Sequence, residues 1–277
     1  MNAPIEHGAL ARAIIPIRAS SLAELFDCPA RWEAKHILGM RSPRSAAAQL
    51  GTAVHAGTAV FDESRLPGAV PVSADDAAGA VVDAIHKPQE DVDWDDTNPN
   101  DAERIALALH TKYCADIAPS QNYVGVELSC ERLELPDLGI ALTGTTDRVR
   151  RLDDGRVGIS DLKTGGRAVG ADGCAVTQGH AVQLGVYEIL AEHAMGMRID
   201  APAQIVGMNT GKTPAAQRVG VGEVRDARAS LVGTEDEPGL LEAASRLIHS
   251  GNFYGNSKSF LCSPKYCPRH PVCRFKA

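Results

Sequence analysis

The chain has 277 residues, 44% of them hydrophobic, enough to bury one large core or a core with an appended lobe. No run of about 18 apolar residues offers a membrane span, and the opening residues lack the apolar segment and cleavage pattern of a signal peptide; a cytoplasmic, reducing setting is expected. A net charge of −7 argues against a uniformly basic nucleic-acid binder. The charge is unevenly spread, however. Twelve of the 35 acidic residues and two of the 28 basic ones fall between Asp62 and Glu103. After Glu242 there is no acidic residue, while Arg246, Lys258, Lys265, Arg269, Arg274 and Lys276 are basic. A locally positive surface is compatible with that distribution.

In chain order, residues 20–38 read as one helix, or as two short ones broken at Cys28-Pro29. Residues 46–63 are alanine-rich and read as a helix. Two more helices fit 73–86 and 99–117, separated by an acidic loop at 90–98. The pattern then changes to strands. Residues 123–135 alternate Val124, Val126 and Leu128 against Glu127 and Ser129, and 140–152 is a second strand. Asp153-Asp154-Gly155 supplies a tight turn into a third strand, 156–163, which Thr164-Gly165-Gly166 stops. A helix over 174–195, short strands near 204–208 and 217–221, and a long helix over 224–250 follow. The tail, 251–277, should have little regular structure unless something ties it down. Helices, a β-meander, then helix, strand and helix predict an α/β (α+β) fold with a central mixed sheet flanked by helices.

One hairpin concentrates the chemistry. Asp147 ends Gly144-Thr-Thr-Asp147, and Asp161-Leu-Lys163-Thr-Gly165 follows across the turn. Val157, Ile159, Asp161 and Lys163 share one strand face, so a charged pair ends a row that otherwise points into a core. Buried charge needs a partner or a metal. Two converging carboxylates suit Mg²⁺ or Mn²⁺, which prefer oxygen donors, and a neighbouring lysine can orient water and offset phosphate charge. A plain surface Asp–Lys pair is the competing reading of the Asp-x-Lys alone. Glu127 is either a further polar residue of the site or a solvent-facing side chain.

This arrangement resembles the PD-(D/E)XK nuclease superfamily, in its RecB-like exonuclease branch with an iron–sulfur cluster, which includes AddB-like and CRISPR-associated RecB-like nucleases. The resemblance covers about residues 20–275 and is weak over 65–120. Gly51-Thr-Ala-Val-His55 looks like the branch's histidine motif, which implies that His55 joins Asp147 and Asp161 as a metal ligand. Gln183-Leu-Gly-Val-Tyr187 looks like the branch's Gln-x-x-x-Tyr motif. Its spacing puts both side chains on one helix face, and the resemblance gives them an active-site and DNA-contacting role. A restriction-endonuclease-like core is implied, as a single nuclease domain over 1–277. Its helical part, 20–120, contains the acidic insertion; 121–250 is the catalytic core and 251–277 a cysteine-rich tail that binds the cluster.

Seven cysteines, an odd number, do not suggest a disulfide framework in a reducing compartment. Cys114, Cys130 and Cys174 read as small buried hydrophobes. Cys28 in Leu25-Phe26-Asp27-Cys28-Pro29 and the terminal Cys262, Cys267 and Cys273 resemble the four ligands of the family's [4Fe–4S] subgroup. Many members show Cys-x2-Cys-x5-Cys at the end, whereas the first gap here is four residues. A four-cysteine zinc site is the alternative, although those usually use Cys-x2-Cys knuckles. Lys258, Lys265, Arg269 or Arg274 in this tail could grip DNA or be simply solvated.

The function implied is a metal-dependent DNA nuclease in a bacterial or phage-infected cell. It would be an exonuclease on DNA ends or single strands in recombination or end processing, with a possible recombination-protein partner. A CRISPR-type spacer-processing nuclease and a non-catalytic DNA-binding iron–sulfur protein are the alternatives. No Gly-x4-Gly-Lys-[Ser/Thr] signature is present, and Gly211-Lys212-Thr213 is only superficially similar.

Overall fold

The computed structural model describes residues 13–94 and 97–276; Asp95 and Asp96, within the predicted acidic loop, lie outside the described residues. The described chain runs β1 (Ile15–Arg18), α1 (Leu22–Asp27), α2 (Pro29–His36), β2 (Arg44–Ser45), α3 (Ala46–Glu63), α4 (Ala74–His86), β3 (Val92–Asp93) and α5 (Pro99–Lys112). It continues through β4 (Tyr123–Leu135), β5 (Ile140–Arg151), β6 (Val157–Gly165), α6 (Ala181–Met195), β7 (Ala203–Asn209), β8 (Val219–Val224) and α7 (Leu240–Ser250).

Local chemistry sets several of these boundaries. The Ser45 hydroxyl accepts from the Ala48 N–H at 3.2 Å to start α3, and Asn98 does the same for Asp101 at 2.9 Å before Pro99 opens α5. Both α6 and α7 end on a left-handed glycine, Gly196 and Gly251.

The sheet is mixed. β4 runs antiparallel to β5 along one edge. The other edge of β5 is divided: β1 pairs in parallel with Ile140 to Thr143, and β6 pairs antiparallel with Arg148 to Arg151. Between those two partners, Gly144 to Asp147 are unpaired on that edge, so the sheet forks there. Beyond the fork β6 pairs with β7 in parallel, and β7 with β8 antiparallel. Period-two alternation then sorts β6 between two cores. Val157 and Ile159 join the cluster that includes Leu22, Trp32, Leu184 and Ile248, from α1, α2, α6 and α7; Leu162 joins the one that includes Val54, Val81 and Leu109, from α3, α4 and α5. Helices therefore cover both faces of the sheet, the α/β arrangement expected.

Three departures from the sequence reading, and the choice between its two readings of 20–38, have local causes. β1 was not expected; its four residues carry too little periodicity to register, and they are ordered by pairing with β5. The segment 20–38 is two helices: the residue before a proline is pushed out of the helical region, and Cys28 accordingly sits extended at φ −149° and ψ 90°. The helix expected over 174–195 begins only at Ala181, because Ala175 bridges Val169 and its N–H bonds to Val221 O. The long helix expected over 224–250 is confined to 240–250. Ala227 and Leu231 are buried at helical spacing, but Asp226 has a left-handed φ of 52°, and the Ala227 carbonyl packs on Gly185 of α6, where a Cβ would fall 2.5 Å from it.

Ile159, fully buried at the centre of the sheet, sets a test of this core. Ile159→Ala is expected to destabilise the protein by about 2–5 kcal/mol, read as a lower urea midpoint with an unchanged slope.

Candidate active site

The fork places Asp147 opposite β6 just past the last ladder pair, Arg148 with Ser160. There its carboxylate takes over from the ladder: Asp147 Oδ2 accepts the Leu162 N–H at 2.7 Å. His55, in the middle of α3, lies over the same point, with Nδ1 3.6 Å from Asp147 Oδ1 and Nε2 3.1 Å from Leu162 O. Asp161, on β6 beside this, is almost wholly buried and forms an ion pair with Lys163. Its Oδ2 is the oxygen that faces the Lys163 ammonium.

The electrostatics are those of a site short of positive charge. Burial would raise the Asp147 carboxyl, but His55, the Leu162 N–H and Lys163 hold it down to about 2. Burial, with the Asp147 charge adding to it, pushes Asp161 up to about 6 against the pull of Lys163. Burial opposes a charged His55, yet Asp147, Asp161 and Glu127 raise its pKa above the usual imidazole value. An imidazole with an acceptor on each ring nitrogen favours the extra proton, which stands where a cation would serve the same carboxylates.

The hairpin expected from the sequence thus brings together Asp147, Asp161, Lys163 and His55. The second expected pair lies across α6. Gln183 Nε2 donates to the Tyr187 hydroxyl at 3.2 Å, and burial, with Asp161 and Asp147 nearby, raises the Tyr187 phenol well above its usual value. Tyr187 also explains Gly144: a Cβ there would fall 2.9 Å from the tyrosine ring.

Of two further residues here, the sequence left one open and did not single out the other. Glu127 was left between two readings; one ligand atom each from His55, Glu127 and Asp147 lie within 4.8 Å of one another. His180, at the start of α6 and one turn before Gln183, lies near Lys163, and burial together with that charge lowers its pKa. The spacing of His180 with Gln183 and Tyr187 along one helical stripe was the available signal.

The four expected cysteines also converge. Cys28, at the α1–α2 break, lines one small cavity with Cys262, Cys267 and Cys273. Burial and the neighbouring Cys267, Cys28 and Cys273 sulfurs push the Cys262 thiol up. The tail is fastened around them. Tyr254 O accepts from Ala30 N at 2.9 Å, Tyr266 O from Arg31 Nε at 3.0 Å, and Asp27 O from Asn256 Nδ2 at 3.0 Å, while Arg269 pairs with Glu33. Arg269 is therefore committed to α2. Of the remaining cysteines, Cys114 and Cys130 are buried as expected, but Cys174 is exposed in the turn that replaces the start of the expected helix.

The chain thus has a forked mixed sheet with two acidic side chains, a lysine and a histidine at its opening. Residues 17–274 match the sequence model of the PD-(D/E)XK nuclease superfamily, and the chain belongs to that superfamily. Among solved structures, one described as "Crystal structure of SSO0001" is similar at 16% identity over 94% of this chain and 95% of that one, with a TM-score of 0.37. No curated protein matches the chain. No helix among the described residues is long and apolar enough to cross a membrane.

The Asp161 environment predicts a pH signature in metal-free protein. Its folded pKa lies above the unfolded value of 3.8, so its ionisation destabilises the fold increasingly as the pH rises from about 4 through 6. Asp161→Asn is expected to raise the thermal midpoint in chelator at pH 8, with the gain shrinking towards zero near pH 4.

Proposed function

We propose that this protein is a divalent-metal-dependent deoxyribonuclease, an exonuclease acting on DNA ends or single strands in recombination or end processing. The observation that carries the reading is the fork itself, where Asp147 of β5, Asp161 and Lys163 of β6 and His55 of α3 meet. His55, Asp147 and Asp161 would hold Mg²⁺ or Mn²⁺; two buried carboxylates beside an imidazole, with the proton affinities of His55 and Asp161 raised, are a donor set that fits such a cation. When bound, such an ion supplies Lewis acidity for water attack on a phosphodiester.

The chain's own groups do the rest. Lys163 has a side chain 26% exposed, so its ammonium reaches both Asp161 and incoming solvent. It orients the attacking water and offsets charge on the scissile phosphate. Gln183 and Tyr187 form a polar wall on the α6 side, where the phenol stays protonated and able to donate to DNA. The expected test is digestion of labelled single- and double-stranded DNA with Mg²⁺ or Mn²⁺. Asp161→Ala should abolish cleavage, and Lys163→Ala should lower kcat by roughly 10²–10³-fold. Wild type as inert as Asp161→Ala with both metals overturns the reading.

The cysteine cavity is assigned to a [4Fe–4S] cluster, with zinc as the alternative. Four thiols on one small cavity match the ligand number of such a cluster, and the irregular, proline-containing tail between them suits a ligand loop better than paired zinc knuckles. Its role is structural, joining the α1–α2 break to a tail more than two hundred residues away. Protein purified without oxygen should be brown and carry about four iron atoms per chain. Cys267→Ser should lose iron and lower the thermal midpoint. Colourless protein with zinc and no iron rejects the cluster.

A further inference from the structure

Glu127 occupies an unusual backbone position. On β4, Val126 pairs with Arg148 and Leu128 with Thr146, so Glu127 lies across from Asp147. It has a φ of 45°, in the left-handed region, in the middle of a strand. A non-glycine residue held there costs on the order of 1–3 kcal/mol and persists only where its surroundings enforce it.

The Glu127 side chain is held by Arg148, whose own side chain is wholly buried. Arg148 Nη1 donates to Glu127 Oε1 at 3.1 Å and to the Asp147 carbonyl at 2.7 Å, so one guanidinium nitrogen grips the backbone of one carboxylate residue and the side chain of the other. The guanidinium is itself fixed from α3: Nε donates to Asp62 Oδ2 at 2.7 Å and Nη2 to Thr58 Oγ1 at 3.1 Å. Tyr113, just after α5, donates to the same Asp62 oxygen at 2.5 Å. A buried ion pair of this kind adds little net stability over apolar packing, but it fixes geometry. Here it runs from α3, which also carries His55, to the two carboxylate residues. Glu127 Oε1 faces Arg148, and the side chain, 38% exposed, opens towards His55 and Asp147.

We propose that Glu127 is a further metal ligand of this centre, and that Arg148, anchored by Asp62 and Thr58, is the positioning residue that aims it. The inference rests on the metal-dependent reading above. Asp161 is drawn to Lys163 and falls outside the group formed by His55, Glu127 and Asp147, so Glu127 supplies an oxygen donor on the β4 side of Asp147.

The test is Mn²⁺ binding to the metal-free full chain by titration calorimetry, comparing wild type with Glu127→Gln, Arg148→Lys, their double variant and His55→Ala. Glu127→Gln should weaken Mn²⁺ binding tenfold or more without lowering the unfolding midpoint of the metal-free protein. Arg148→Lys should weaken binding by roughly 10–100-fold, and have no further effect once Glu127 is already Gln. If Arg148→Lys does not fold, Thr58→Val, which removes one anchor of the guanidinium, is compared in the same two backgrounds. Wild-type Mn²⁺ affinity in Glu127→Gln, while His55→Ala loses binding, overturns the ligand assignment alone. Equal losses from the arginine or threonine change with and without Glu127 overturn the positioning role. No Mn²⁺ binding by wild type overturns the metal centre itself.

Discussion

The hydrogen bond from the Leu162 N–H to the Asp147 carboxylate holds the site in place. Where β5 and β6 separate, a buried backbone donor would be left without its ladder partner, a loss of about 1–3 kcal/mol. Asp147 fills that vacancy with a side chain, so the fork and a charged oxygen in the core depend on one another. The same carboxylate then attracts the His55 ring and stands beside Asp161. A strand pair that continued to zip would satisfy the backbone and close the cleft.

Two buried polar systems support this point from opposite faces. On the α3 face, Asp62, Tyr113 and Thr58 fix Arg148, which reaches back to the Asp147 carbonyl. On the α6 face, Tyr187 packs where only Gly144 leaves room, next to the unpaired stretch of β5. The site is therefore clamped between helices that bury separate apolar clusters. Far along the chain, the Cys28-Pro29 break serves a second assembly by turning a thiol out of the helix line towards the tail.

Much of this was legible in the sequence because it is local. Alternation along 157–163 predicted which residues share a face, and the Asp-Gly turn fixed the hairpin that sets Asp147 beside β6. Pro29 announced the interruption in the first helix, and Ser45, Ser73 and Asn98 stand at helix starts. The errors came where helical spacing was produced by something else. Ala227 and Leu231 are four residues apart and buried, yet they belong to a turn held against α6, with Arg228 paired to Glu188 and Glu192. A pattern of burial records which residues meet the core, not the backbone path that brings them there.

By itself the sequence determined the mixed α/β order and the hairpin that carries Asp147, Asp161 and Lys163, and it marked His55, Gln183, Tyr187 and four cysteines as candidates. The tertiary structure alone decided that the sheet forks at Gly144 to Asp147, because β1 and β6 compete for one edge of β5 and neither pairs with those residues. It also decided that Arg148, an unremarkable basic residue beside an aspartate in the sequence, lies wholly buried and linked to Glu127. Charges that alternate along a strand look alike in sequence whether they face water or a partner. Only the packing of α3 against the sheet removes the water and makes the partner necessary.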